Sequence, residues 1–136
     1  MAEITAELLG GTRVALSNGR HQWQGDEPES NGGEDTGPTP YEMLLGALAH
    51  CTLVTLALYT RHKGIELGPV SAWYHHEKVP APEGQTGLVD RLTSRVTIGG
   101  EYDEAVRKRL EQIVGRCRVH KTLEIGAEVV DEVEFI

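Results

Sequence analysis

The chain has 136 residues, 39% hydrophobic and 25% charged, with a formal net charge of −8 at pH 7. That length predicts one domain spanning residues 1–136, and the balance is that of a folded, soluble chain rather than a disordered or fibrous one. The acidic excess argues against nucleic acid as a partner, and the start, Met1 to Thr5, shows no secretory leader, which predicts a cytoplasmic location.

Ile4 to Leu9, Thr12 to Leu16 and Arg20 to Gln24 read as two or three antiparallel strands, with Asn18-Gly19 as a hairpin turn. From Gly25 to Gly37 the chain is polar and rich in turn residues, a loop longer than a compact domain usually carries without a purpose. Pro38 and Pro40 then precede an almost wholly apolar helix from Met43 to Leu58, predicted to start after the prolines. Arg61-His62-Lys63-Gly64 supplies its end. Pro69 to Lys78 and Leu88 to Ile98 alternate as a strand pair. Tyr102 to Val114 is a second helix with Tyr102, Val106, Leu110 and Ile113 on one face and Asp103 at its start. Arg116 to Leu123 reads as a connecting turn and Val129 to Ile136 as a last strand. The order is β-β-β-α-β-β-α-β, an α+β fold with an antiparallel sheet around a buried helix.

The apolar positions of the first helix surround its axis, the pattern of a helix covered on all sides. The run from Met43 to Leu58 is 16 residues, short of the roughly 20 that span a bilayer, and Gly46, His50, Thr52 and Thr55 interrupt it, which argues against a membrane partner. One sheet and one amphipathic helix cannot cover every side. The simplest remaining cover is a second copy of the same helix, so the sequence predicts a two-fold symmetric homodimer.

Cys51, in the middle of that helix, and Cys117 are the only cysteines. A buried cysteine is often inert packing, but two thiols in a reducing compartment are more often redox-active or metal-binding than a permanent staple. Arg116 and Arg118 flank Cys117, and positive charge raises the thiolate fraction of a thiol. Together the cysteines suggest a pair in which one thiolate is oxidised to a sulfenic acid and the other condenses with it to a disulfide. The competing chemistry is a Cys₂His₂ zinc site from His50, Cys51, Cys117 and His120, although the usual paired ligand spacings are missing. His50 points about 100° away from Cys51 on a helix, and His75 and His76 lie on opposite faces of a strand, poor geometry for a metal. Trp23, Tyr59 and Trp73 read as core or interface aromatics.

The stretch Gly37 to Thr52, followed by Tyr59, Lys63 and Gly64, resembles the first-cysteine helix of the OsmC/Ohr family. Arg116-Cys117-Arg118-Val119-His120-Lys121-Thr122-Leu123 is similar to that family's second-cysteine segment, with Arg118 where the family usually has proline. Arg20-His21 followed by Asp26-Glu27-Pro28 resembles the strand and loop of one OsmC-like branch. The resemblance implies an intertwined homodimer with its sites at the subunit interface. It implies a thiol peroxidase without metal or flavin that reduces organic hydroperoxides, with a small dithiol or a lipoylated protein as reductant. By the same resemblance Cys51 is the peroxidatic residue and Cys117 the resolving one, and Arg20 and Glu42 hold the thiolate.

Glu42 lies nine positions before Cys51, one fewer than the family spacing, which falls on Tyr41. On an unbroken helix that leaves Glu42 opposite Cys51 and about 13 Å along the axis. Glu42 then serves only if the helix breaks near Gly46 or if it meets another subunit's thiol. The alternative for the whole chain is a non-catalytic OsmC-like dimer that binds a small molecule or a protein partner.

Overall fold

In the computed structural model, which describes Met1–Ile136, the first three strands form one antiparallel sheet in the order β1 (Thr5–Gly10), β2 (Arg13–Ser17), β3 (Gln22–Gly25). Leu8 pairs with Val14 and Leu16 with Trp23. The predicted hairpin turn is closed by the Asn18 side chain, whose oxygen accepts the N–H groups of Arg20 and His21 at 2.9 and 2.7 Å. Gly19 supplies the left-handed φ of 92° that this turn needs.

The long polar loop after β3 is built around one carboxylate. Asp26 is 3% exposed. It accepts the Thr12 and Thr36 hydroxyls at 2.5 and 2.7 Å and the N–H groups of Glu27, Glu34 and Thr36 at 2.7, 3.3 and 3.1 Å. These bonds, the Thr12 hydroxyl first and the Thr36 hydroxyl next, hold its carboxyl far below the ordinary range against the opposing effect of burial. The backbone is drawn so tight that a side-chain carbon at Gly33 or Gly37 would collide with the carbonyls of Glu27 and Gln24.

The first helix, α1 (Pro40–Lys63), has 24 residues and is longer than its apolar run at both ends. Pro40 lies inside it, not before it, because the first turn has no use for a proline N–H. Thr39 and Glu42 close a capping box: the Thr39 N–H donates to Glu42 at 2.9 Å and the Glu42 N–H to the Thr39 hydroxyl at 3.3 Å. At this length α1 is apolar enough to cross a membrane by length and composition, so the shortness read from the sequence is not a ground against it. The same test is met by core helices of folded domains.

The chain divides into two compact units, residues 1–46 and 47–136, and α1 begins in the first and continues in the second. In the second unit α1 buries only Leu48, Thr52, Leu56 and Thr60, one stripe at four-residue spacing. Val54 and Leu58, on other faces, are 40% and 50% exposed. The all-round burial expected of this helix is therefore not met within one chain.

Strands β4 (Val70–Pro80) and β5 (Leu88–Ile98) form a two-stranded antiparallel hairpin in unbroken register from Val70 opposite Ile98 to Pro80 opposite Leu88. Helix α2 (Glu104–Val114) starts at Asp103, whose side chain accepts the Val106 N–H, and ends before Gly115. Leu56, Leu110 and Ile113 form the core, packed by Tyr59, Val70, Val96, Ile98 and Val106 among others. Truncating Leu56, which is fully buried, to alanine removes about 2–5 kcal/mol.

Two expectations are corrected after α2. The turn expected at Arg116 to Leu123 is a third helix, α3 (Arg118–Ile125). The last strand, expected over Val129 to Ile136, does not form: Val129, Val130, Val133 and Phe135 are 75–93% exposed, and both sheets are complete without them. A strand exists only when its backbone groups pair with a neighbour, and this segment has none in a single chain.

Candidate functional site

Cys51 sits mid-way along α1, on the turn that also carries the buried Thr52. Cys117 lies at the junction of α2 and α3, 1% exposed, and is the N-cap of α3. Its sulfur accepts the His120 N–H at 3.2 Å and the Thr52 hydroxyl at 3.7 Å. The fold thus brings together the two cysteines, far apart in sequence, closely enough for each to shift the other's pKa.

The two sulfurs are held in opposite senses. At Cys51 partial burial opposes the thiolate, but hydrogen bonds from the Val119 main chain, the Cys117 thiol, the Arg118 main chain and the Thr55 side chain outweigh it, and its pKa falls. At Cys117 burial dominates and, with the neighbouring Cys51, pushes the thiol up despite the His120 N–H and the Thr52 hydroxyl. Cys51 is thus the favoured thiolate, and Cys117 is a thiol that donates to it.

The first turn of α3 explains the shift at Cys51. Helix N-termini present N–H groups with no intrahelical partner, and such groups lower a thiol pKa. From the sequence, charge on Arg116 and Arg118 was the evident influence on a thiol. In the structure the main-chain groups of Arg118 and Val119 hold Cys51. They went unseen because α3 itself did.

Cys51 opens into a groove of about 620 Å³. Leu58, Tyr59 and Ile113 line its apolar part, and Thr55, Arg116 and Arg118 its polar part. Arg109 fixes Tyr59: its Nε donates to the phenol oxygen at 3.2 Å, and its guanidinium lies 5.6 Å from the ring centre. The groove offers an apolar body and cationic groups beside the Cys51 sulfur.

Glu42 is engaged at the start of α1 by the capping box with Thr39, which lowers its pKa. The helix runs unbroken through Gly46, so the first of the two routes by which Glu42 could reach a thiol is closed and the second, another subunit's thiol, remains. Arg20 is exposed, next to the turn before β3. Within one chain no three His, Cys, Asp or Glu side chains converge on a point where an ion could sit. His120 directs Nδ1 to Glu124 at 2.8 Å, and His50 is exposed. His75 and His76 have separate partners, a stack on Trp73 and a 2.7 Å bond to Asp90.

The family model described as OsmC-like protein matches residues 32–130. Among solved structures, an OsmC like protein from Mycoplasma pneumoniae is similar with 23% identity and a TM-score of 0.67, over 91% of this chain and 87% of that one. An organic hydroperoxide resistance protein OsmC from Legionella pneumophila is similar with 16% identity and a TM-score of 0.66, over 90% of this chain and 88% of that one. The organic hydroperoxide resistance protein OhrB of Bacillus subtilis is similar with 18% identity and a TM-score of 0.62, over 90% and 89%. At these identities the likeness is one of fold. No curated protein matches the chain.

Proposed function

The chain belongs to the OsmC-like family, and we propose that within it the protein is a thiol peroxidase that reduces organic hydroperoxides through Cys51 and Cys117. One observation carries this reading: two thiols in reach of each other, the one on the open groove favoured as thiolate and the enclosed one kept as thiol. The names of the Legionella and Bacillus structures supply the substrate class.

The Cys51 thiolate attacks the outer oxygen of the hydroperoxide. The O–O bond breaks, the alkoxide takes a proton and leaves as an alcohol, and Cys51 becomes a sulfenic acid. The sulfur of Cys117 then attacks the sulfur of Cys51. The S–O bond breaks, the hydroxide takes the proton given up by Cys117, and water leaves behind a disulfide. The two thiols have supplied two electrons, which a small dithiol or a lipoylated protein restores by thiol–disulfide exchange. No metal or flavin is needed for these steps. Arg20 and Glu42 complete the proposed site by orienting the thiolate and the leaving oxygen, Glu42 from a second copy of the chain.

A homodimer is part of the proposal. The exposed apolar face of α1 at Val54 and Leu58 and the unpaired segment after Gly126 both call for cover that one chain does not provide. A cytoplasmic setting suits a disulfide that must be reduced in every cycle.

Turnover tests the function. With a dithiol present, the wild type consumes cumene hydroperoxide catalytically and Cys51→Ser does not. A wild type without turnover favours the non-catalytic binding dimer.

A further inference from the structure

Thr52 behaves unlike the other threonines on the helices. The hydroxyls of Thr55, Thr60 and Thr122 turn back along their own helix to the carbonyls of Cys51, Leu56 and Arg118 at 2.6, 2.9 and 3.0 Å, the usual resort of a helical threonine. Thr52 is 1% exposed, and its hydroxyl instead crosses to the sulfur of Cys117. The His120 N–H reaches the same sulfur at 3.2 Å. A neutral thiol sulfur is a weak acceptor, and two donors aimed at one suit an anion better.

We infer that Thr52 is a catalytic residue of the disulfide-forming step, its hydroxyl and the His120 N–H together holding the negative charge that the Cys117 sulfur carries as it attacks oxidised Cys51. This rests on the peroxidase reading above. The step demands such help. Cys117 is 1% exposed, and a buried sulfur that must become anionic without water needs fixed donors in its place. Before oxidation the Cys117 proton is directed to the Cys51 thiolate. Once Cys51 is a sulfenic acid, that proton passes to the departing hydroxide, the S–S bond forms as the S–O bond breaks, and the Thr52 hydroxyl remains a donor throughout. Adjacent residues of α1 thus serve the two halves of the cycle, Cys51 the first and Thr52 the second.

The test compares Thr52→Val, which keeps the shape and loses the donor, with Thr52→Ser, which keeps the donor. Each is oxidised with one equivalent of cumene hydroperoxide, and sulfenic acid and disulfide are followed by mass over time and pH. Sulfenic acid forms at the wild-type rate in both. In Thr52→Val, one lost charge-assisted hydrogen bond lowers the thiolate fraction roughly tenfold, and the more basic sulfur, being more nucleophilic, recovers about threefold. Disulfide formation is then about threefold slower at pH 7, and the deficit vanishes or reverses at alkaline pH, where both sulfurs are ionised. Thr52→Ser restores the wild-type profile. Equal disulfide rates in Thr52→Val and wild type at all pH values, or a slowing by the same factor at every pH, would overturn the inference. A wild type that forms no sulfenic acid overturns the peroxidase reading instead, and the role of Thr52 with it.

Discussion

The His120 N–H points at the sulfur of Cys117 from 3.2 Å, so α3 is capped by the cysteine that precedes it. Serine is a strong N-cap and alanine a poor one. Cys117→Ser therefore keeps α3, whereas Cys117→Ala loses its cap and about 1 kcal/mol of stability, more if the vacated space stays empty. Urea unfolding of the two variants under reducing conditions measures the difference. Equal stability would mean that the sulfur contributes nothing to the helix.

Thr55 stands one turn beyond Cys51, and its one hydroxyl hydrogen, given mainly to the Cys51 carbonyl at 2.6 Å, is the smallest of the influences that favour the Cys51 thiolate. Thr55→Val removes that donor, so the Cys51 pKa rises and less thiolate is present at neutral pH. Alkylation of Cys51 by iodoacetamide at pH 7 slows by no more than about twofold, and the midpoint of its pH profile moves slightly upward. Cys117, buried and already pushed up, stays slow in both proteins.

Glu42 carries two assignments that one substitution separates. Glutamine keeps the capping-box hydrogen bonds but not the charge that the helix start favours, so Glu42→Gln lowers the melting temperature slightly and Glu42→Ala lowers it more. If the carboxylate also orients a thiolate across a dimer interface, Glu42→Gln slows sulfenic acid formation on Cys51 by about tenfold or more. An unchanged rate would confine Glu42 to the helix start.

Asp26 predicts the acid behaviour of the first unit. Its folded pKa lies below its unfolded value of about 3.9, so it adds stability at neutral pH, and this is lost as pH falls below about 4 toward the folded pKa. Asp26→Asn is less stable than the wild type at pH 7, because a neutral amide replaces a carboxylate that accepts five hydrogen bonds. Its stability also declines less steeply with acid. Melting curves from pH 7 to about pH 2 check both statements.

Local patterns carried much of the fold. Alternation placed β4 and β5, and Asp103 with the 3.6-residue spacing of Val106, Leu110 and Ile113 placed α2, because those signals lie within a dozen residues. Two kinds of information did not. Helix α3 has eight residues and a sulfur for a cap, and no capping pattern marks it. The apolar segment at Val129 to Ile136 has the composition of a strand, but strand formation depends on a partner that a sequence does not display. Cys51 and Cys117 were visible as chemistry. Thr52, Thr55 and the α3 N–H groups were not, since each acts through contacts between α1 and α3 or within one turn of a thiol. The stretch from Gly25 to Gly37 read as a polar loop too long to lack a purpose, and only the structure shows the Asp26 carboxylate buried as its organising centre.

In the proposed cycle Cys51 is oxidised first and Cys117 resolves it. The most direct measurement is intact mass under non-reducing conditions after one equivalent of cumene hydroperoxide, for wild type, Cys51→Ser and Cys117→Ser. Wild type loses two hydrogen atoms, Cys117→Ser gains one oxygen and Cys51→Ser is unchanged. A wild type whose thiols are intact after minutes, or a Cys51→Ser variant that oxidises as fast as wild type, would contradict this cycle.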